Sequence, residues 1–416
     1  MFNIETLPNG VRLVTEAVPS VRSASLGIWV NGGSREEKEE ESGAAHFIEH
    51  MLFKGTATRT AADLARETDA IGGQMNAFTT KECTCFYGRV LDDHLPKALD
   101  ILWDMVYCSA FEQEAVDTER GVIFEEIDMY EDTPDDLCAE KLFAAVFQGS
   151  PLARPILGDK ETLANMTAKD LKEYHRLHYR ADNTVVSLAG SFSEEILEEI
   201  RKRFSTLPQG EPTSGDQAGY TPAIVATKKT IEQNHLTLAF PGLTYHSPKR
   251  FTLQLLSSIL GGGMSSRLFQ QVREQQGLCY SVYSYGAGHE DTGIFCIYTA
   301  LNRETEEKAL QTICRVIRDF LKEGPTDEEL ERAREQSKAN VVMGMESTQS
   351  RMSHAGRSLM SMGKIMTAEE IIEAYNAVTR EDVMDLAKEI FQWDKVSLSA
   401  VGQVRSEEEY RKLLAE

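Results

Sequence analysis

The sequence predicts an α+β protein built as two tandem copies of one unit, and three observations carry this. A shift of 212 residues aligns the ends of the chain without a gap: Thr167-Ala168-Lys169-Asp170-Leu171 falls on Thr379-Arg380-Glu381-Asp382-Val383, and Leu188-Ala189-Gly190 on Ala400-Val401-Gly402. Segments with strand-like apolar patterning are interleaved with segments of helical period in the same order in both halves. At the midpoint, Leu207 to Tyr220 is rich in Pro, Gly and Ser and reads as a linker. Each copy is domain-sized, so this is a duplication and not a solenoid.

Residues 11–16 and 23–30 read as strands around a turn at Val18-Pro19-Ser20, and Asn31-Gly32-Gly33-Ser34 closes the second. The acidic run Glu36 to Glu41 leads into an apolar helix over 43–55; negative charge suits a helix start. A helix from Thr60 to Ile71 stops at Gly72-Gly73. Residues 74–80 and 83–91 read as paired strands, and 96–110 and 112–132 as helices. A helix over 167–179 begins with an N-cap signature. A strand over 183–190 and a helix over 193–204 end the first copy. The second copy repeats a strand (234–240), a helix (250–260), a glycine break (261–263), a helix (266–276) and strands (279–285 and 293–300). The alignment sets Glu119-Arg120 on Glu331-Arg332 and Lys338 opposite Glu126.

The net charge of −22 argues against a nucleic-acid partner, whose phosphates need a basic surface, and allows attraction of basic peptides. No run of about eighteen apolar residues predicts a membrane span. The start Met1-Phe2-Asn3-Ile4-Glu5 has no basic stretch followed by an apolar one, so a cytoplasmic protein is expected. Seven scattered cysteines fit reduced thiols.

The chemistry centres on the 43–55 helix. His46 and His50 are four apart, just over one turn, so they share a face, and Glu49 joins them. Two imidazoles and a carboxylate on one stripe are the parts of a hydrolytic zinc site, in the inverted order H-x-x-E-H. The ordinary alternative is a pair of core histidines bonded to backbone carbonyls. The glutamate, set in an otherwise apolar and therefore buried helix, weighs for metal. Such a site lacks a third protein ligand. The acidic helix over 112–132 can supply it, because Glu119 and Glu126 are seven apart and share a face. The second copy has no histidine in its matching helix, Phe251 to Leu260.

Together these residues resemble the pitrilysin/insulinase family of zinc peptidases, most closely its short, two-domain branch with the mitochondrial processing peptidase and its bacterial relatives. The match spans essentially the whole chain and is most specific at His46-Phe47-Ile48-Glu49-His50 followed by Glu126. The resemblance implies two domains, each an antiparallel sheet with helices packed on it, facing each other across a chamber. They are residues 1–210 and 222–416, joined by a linker at 211–221. It implies one Zn²⁺ per chain on His46, His50 and Glu126, with Glu126 chosen over Glu125. Glu49 is then the general base, and Glu119 supports the site. It makes Gly73-Gln74-Met75-Asn76-Ala77-Phe78-Thr79 an edge strand, where Asn76, Ala77 and Phe78 pair with an extended peptide. It makes Arg273 and Tyr280 substrate-holding groups from the second half, with Tyr280 near the developing oxyanion.

The expected function is thus a zinc metalloendopeptidase, cytoplasmic and homodimeric, acting on peptides or unfolded segments. The competing expectation is a non-catalytic partner subunit of the same fold. Such relatives usually lack ligands or the glutamate, and here His46, Glu49, His50, Glu126, Arg273 and Tyr280 are all present.

Overall fold

The computed structural model describes residues 2–210 and 216–415. The part of the expected linker at 211–215 lies outside the described residues; 216–221 forms neither helix nor strand.

In the first unit, six strands form one sheet: β1 (Asn3–Thr6), β2 (Arg12–Ala17), β3 (Ser23–Val30), β4 (Gln74–Thr79), β5 (Thr84–Leu91) and β6 (Thr184–Gly190). Their order is β1-β2-β6-β3-β5-β4. In the second unit the strands are β7 (Ile224–Lys228), β8 (Asn234–Pro241), β9 (Cys279–Gly288), β10 (Gly293–Leu301) and β11 (Ser397–Gly402), in the order β7-β11-β8-β10-β9. Removing β1 makes the two orders identical, so the duplication is structural as well as sequential. Each sheet is antiparallel except for one parallel pair, β2–β6 and β7–β11.

The helices α1 (Ala44–Met51), α2 (Ala61–Ala70), α3 (Leu95–Tyr107) and α4 (Gln113–Asp132) follow the expected order. A fifth helix, α5 (Pro134–Val146), was not expected from the sequence. The first sheet's core joins Phe47 and Ile48 of α1 and Leu99 and Leu102 of α3 to Leu26, Ile28 and Phe86 of the strands. His175 and His178 are ordinary structural histidines. His175 Nε2 lies 2.7 Å from the Val106 carbonyl, and burial pushes both pKa values down to about 4.

The compact units do not follow the linear halves. One contains residues 1–127, 154–216 and 342–367; the other contains 128–153, 217–341 and 368–416. A contiguous division at 1–210 and 222–416 therefore misplaces two segments, each of which packs on the sheet of the opposite half. In the first unit, Met352, Ala355 and Leu359 of the helix Thr348–Met362 close over Val14, Trp29, Cys85 and Val185. In the second, Leu142 and Val146 of α5 pack with Ala239, Ile294 and Cys296. Both faces of each sheet are thus covered. This explains why β6, β10 and β11 are buried at every position, where a one-faced sheet would alternate.

Gly356 shows how tight this packing is. A Cβ at Gly356 would overlap the Trp29 indole, whose Nε1 donates to Ser187 Oγ at 2.8 Å. In an open helix, Gly→Ala stabilises by up to about 1 kcal/mol. Here Gly356→Ala is expected to destabilise by roughly 1–3 kcal/mol, because overpacking wins. Calorimetry decides it: an unchanged or raised Tm would mean that this helix does not seal the sheet.

The structure also corrects the register of the repeat. Arg120 donates from Nη2 to the Met166 carbonyl, and Arg334 donates to the Val378 carbonyl. Val378 lies 212 residues after Met166, but Arg334 lies 214 after Arg120. The buried positions Val116, Glu119 and Ile123 agree, matching Leu330, Ala333 and Ser337. Glu126 therefore stands opposite Asn340, not Lys338, and Glu119 opposite Ala333, not Glu331. The ungapped shift fails here because the second repeat is two residues shorter between these points, with 44 residues from Arg334 to Val378 against 46 from Arg120 to Met166.

Candidate metal centre

The centre is built on α1. The helix starts at Gly43, whose φ of 91° and close approach to Leu157 and Gly158 exclude a side chain. Its free N–H groups are held by a buried carboxylate from outside the helix: Gly43 N donates to Glu37 Oε2 and Ala45 N to Glu37 Oε1, both at 2.9 Å. Burial raises the Glu37 pKa to about 8 despite these two bonds. The apolar side of α1, with Phe47, Ile48 and Met51, is buried. That packing turns the stripe of His46, Glu49 and His50 toward α4, and α1 ends sooner than the expected 43–55.

The four-residue spacing puts the two imidazoles 4.6 Å apart between ring centroids. From α4, Glu126 Oε2 lies 3.6 Å from His46 Nε2 and 3.4 Å from His50 Nε2. One ligand atom from each of His46, His50 and Glu126 falls within 4.8 Å of the others, the only such grouping of metal-binding side chains among the described residues. Glu119, one of the two carboxylates on the same face of α4, meets the opposite nitrogen: His50 Nδ1 donates to Glu119 Oε1 at 2.8 Å. That bond orients the His50 ring and sets Nε2 against Glu126 Oε2, where the nitrogen carries a proton or, once that proton is displaced, offers its lone pair to a cation.

The electrostatics calls for a cation. Burial, and then the neighbouring His50, push the His46 pKa down to about 4, so it is a neutral imidazole. Burial lowers His50 too, but the hydrogen bonds it donates to Glu119 and Glu126 outweigh this and raise its pKa to about 9. Its hydrogen bond with His50 holds Glu126 below the usual carboxylate range. Two carboxylates around one imidazole therefore retain a positive charge, proton or metal, and the donor set of two imidazoles and a carboxylate suits Zn²⁺. The residues fit the metal.

Glu49 is half-buried beside this cluster, and burial raises its pKa. Asn76, Ala77 and Phe78 lie on β4, which pairs only with β5 and ends the sheet order. The Ala77 N–H is held by Asn76 Oδ1 at 2.9 Å, and Phe78 packs edge-on to Trp29 at 5.7 Å. In the second unit, the expected helix over 266–276 instead contains a π-helical turn, Phe269–Glu274. It sets the Arg273 guanidinium 4.6 Å from the Phe269 ring and 5.0 Å from the Tyr280 ring, with Tyr280 itself 75% exposed.

Two site residues were missed in the sequence. Lys54 Nζ lies 2.6 Å from Glu119 Oε2; against burial, which raises it, the bonds to His50 and then Lys54 hold the Glu119 pKa below the usual carboxylate range. Lys54 lies beyond the end of α1, so helical spacing from His50 gave no signal for it. Thr79 donates from Oγ1 to Glu49 Oε2 at 2.6 Å; no spacing rule links a helix to a strand thirty residues later.

Residues 12–160 match the family profile described as Insulinase (Peptidase family M16), and residues 165–337 match Peptidase M16 inactive domain. The Uncharacterized zinc protease YmxG of Bacillus subtilis is 42% identical over 395 residues, covering 95% of this chain and 97% of that one. The chain belongs to peptidase family M16, the insulinase family. A second M16 relative, the Uncharacterized zinc protease SCO5738 of Streptomyces coelicolor, is 40% identical over 98% of this chain and 90% of its own. The same two-domain fold occurs in a solved peptidase M16 inactive domain from Pseudomonas fluorescens, with a TM-score of 0.91 at 23% identity over 97% of this chain and 99% of that one. It occurs again in a protease from Helicobacter pylori, with a TM-score of 0.89 at 21% identity over 97% and 99%. The M16 assignment makes peptides the substrate class. No helix among the described residues is long and apolar enough to cross a membrane.

Proposed function

We propose that this M16 chain is a zinc-dependent endopeptidase in which Glu49 is the general base. The convergence of His46, His50 and Glu126 beside Glu49 is the observation that supports this most. Zinc held by those three residues, one ion per chain, would supply a Lewis acid that lowers the pKa of water to about 7 and polarises the peptide carbonyl. Glu49 takes the proton of the attacking water and returns it to the leaving amine; its raised pKa suits both steps. Glu119, backed by Lys54, acts through His50 by holding its ring and tautomer. The free edge of β4 receives the peptide as an added strand, largely blind to its side chains. Arg273 and Tyr280, which stand together in the second unit with the guanidinium 5.0 Å from the ring, are substrate-holding groups in this reading. Basic peptides are the preferred substrates in this reading, attracted by the net charge of −22.

A non-catalytic partner role would leave Glu49 and its threonine anchor without a purpose. The test is cleavage of a mixed peptide library by the purified chain, with and without a chelator. Cleavage is expected to stop on chelation and to return with added zinc. Cleavage that continues at the same rate in chelator, with no bound zinc detected, would overturn the proposal.

A further inference from the structure

We propose that Thr79 is a positioning residue, which anchors the Glu49 carboxylate and ties the base to the strand that receives the substrate. This rests on Glu49 being the base, as proposed above. The Thr79 hydroxyl is committed to that contact. Its neighbour across the β4–β5 pair, Thr84, gives its own hydroxyl proton to the Gly32 carbonyl at 2.9 Å. That leaves the Thr79 proton for Glu49 Oε2 at 2.6 Å. One carboxylate oxygen is thereby held, and Oε1 is left to exchange a proton.

The mount behind Thr79 is firm. Thr80 N donates to the Cys83 carbonyl at 2.8 Å and closes the β4–β5 turn. The backbone of Ser34 and Arg35 donates to the Thr80 and Lys81 carbonyls at 3.2 and 2.7 Å. Arg35, only 4% exposed, pairs with Glu82 at 2.8 Å in the same turn. A Cβ on Gly33 would strike that backbone, so loop and turn meet without a gap. A glutamate side chain has three rotatable bonds, and a misplacement of about 1 Å at a reacting group can cost on the order of 100-fold in rate. Because Thr79 is the last residue of β4, a peptide that pairs with this strand also presses on the element that aims the base.

The test compares Thr79→Val, which keeps shape and removes the hydroxyl, with Thr79→Ser, which keeps the hydroxyl, beside Glu49→Gln. Zinc content, Tm, kcat and KM are measured for each. Thr79→Val is expected to lower kcat by about 10- to 100-fold, with KM, zinc content and Tm close to wild type. Thr79→Ser is expected to stay within about threefold of wild type, a rescue that a purely structural role would not require. If Thr79→Val keeps full kcat while Glu49→Gln is inactive, the positioning role is wrong and the base assignment stands. If loss in Thr79→Val only tracks lost zinc or lowered Tm, the positioning role is also wrong. If Glu49→Gln stays active, both assignments fall together.

Discussion

Glu49→Gln is expected to lower kcat by about 10²–10⁴-fold, the usual range for removing a general acid–base group. That corresponds to roughly 3–5 kcal/mol of barrier at 1.36 kcal/mol per decade. The substitution is a clean one here. Gln keeps the length of Glu, and its amide oxygen can still accept the Thr79 hydroxyl that now reaches Glu49 Oε2 at 2.6 Å. Neither α1 nor the imidazoles should move, so zinc content and Tm should match wild type. What is lost is the ability to take and return a proton. Steady-state kinetics with a fluorogenic peptide, beside metal analysis of the same preparation, reads the effect. A variant within about threefold of wild-type kcat would remove Glu49 from the chemistry.

Glu126→Ala is expected to strip the metal instead. Glu126 Oε2 is the one carboxylate oxygen within 3.6 Å of His46 Nε2 and 3.4 Å of His50 Nε2. Without it two imidazoles remain, and a catalytic zinc site ordinarily needs three protein ligands. After dialysis the bound zinc should drop from about one per chain to a small fraction, and activity should drop with it. The neighbouring Glu125 is exposed on α4 and serves as the control. Glu125→Ala should keep its zinc and its rate. Zinc content unchanged in Glu126→Ala, or lost in Glu125→Ala, would overturn the ligand assignment that the resemblance made.

Much of this centre was readable before any coordinates, and the reason is local geometry. Helical period alone places His46, Glu49 and His50 on one stripe and Glu119 and Glu126 on another, and the 4.6 Å ring separation of the histidines bears this out. The N-cap at Thr167 and its repeat at Thr379 both form capping boxes, because three-residue spacing fixes that contact as well. Order along the chain also revealed the duplication, and the shared strand order of the two sheets agrees with it.

The contacts that join these local pieces were not readable. Glu119 to His50 spans 69 residues and Thr79 to Glu49 spans 30; no periodicity constrains pairs that far apart. The two-residue slip of the second repeat is visible only where Arg120 and Arg334 meet equivalent carbonyls. The exchange of α5 and the Thr348–Met362 helix is the clearest case. An apolar helix face states that it must be covered, but not by which sheet. Here the packing decides it: Gly27 and Gly356 make room between Met352 and the Trp29 indole, and each half lends a helix to the other's sheet. The sequence by itself determined the stripe of His46, Glu49 and His50, the acidic face of α4 and the repeat. Only the tertiary structure decided what holds the Glu49 side chain and which segments complete each unit, because those follow from packing between distant residues.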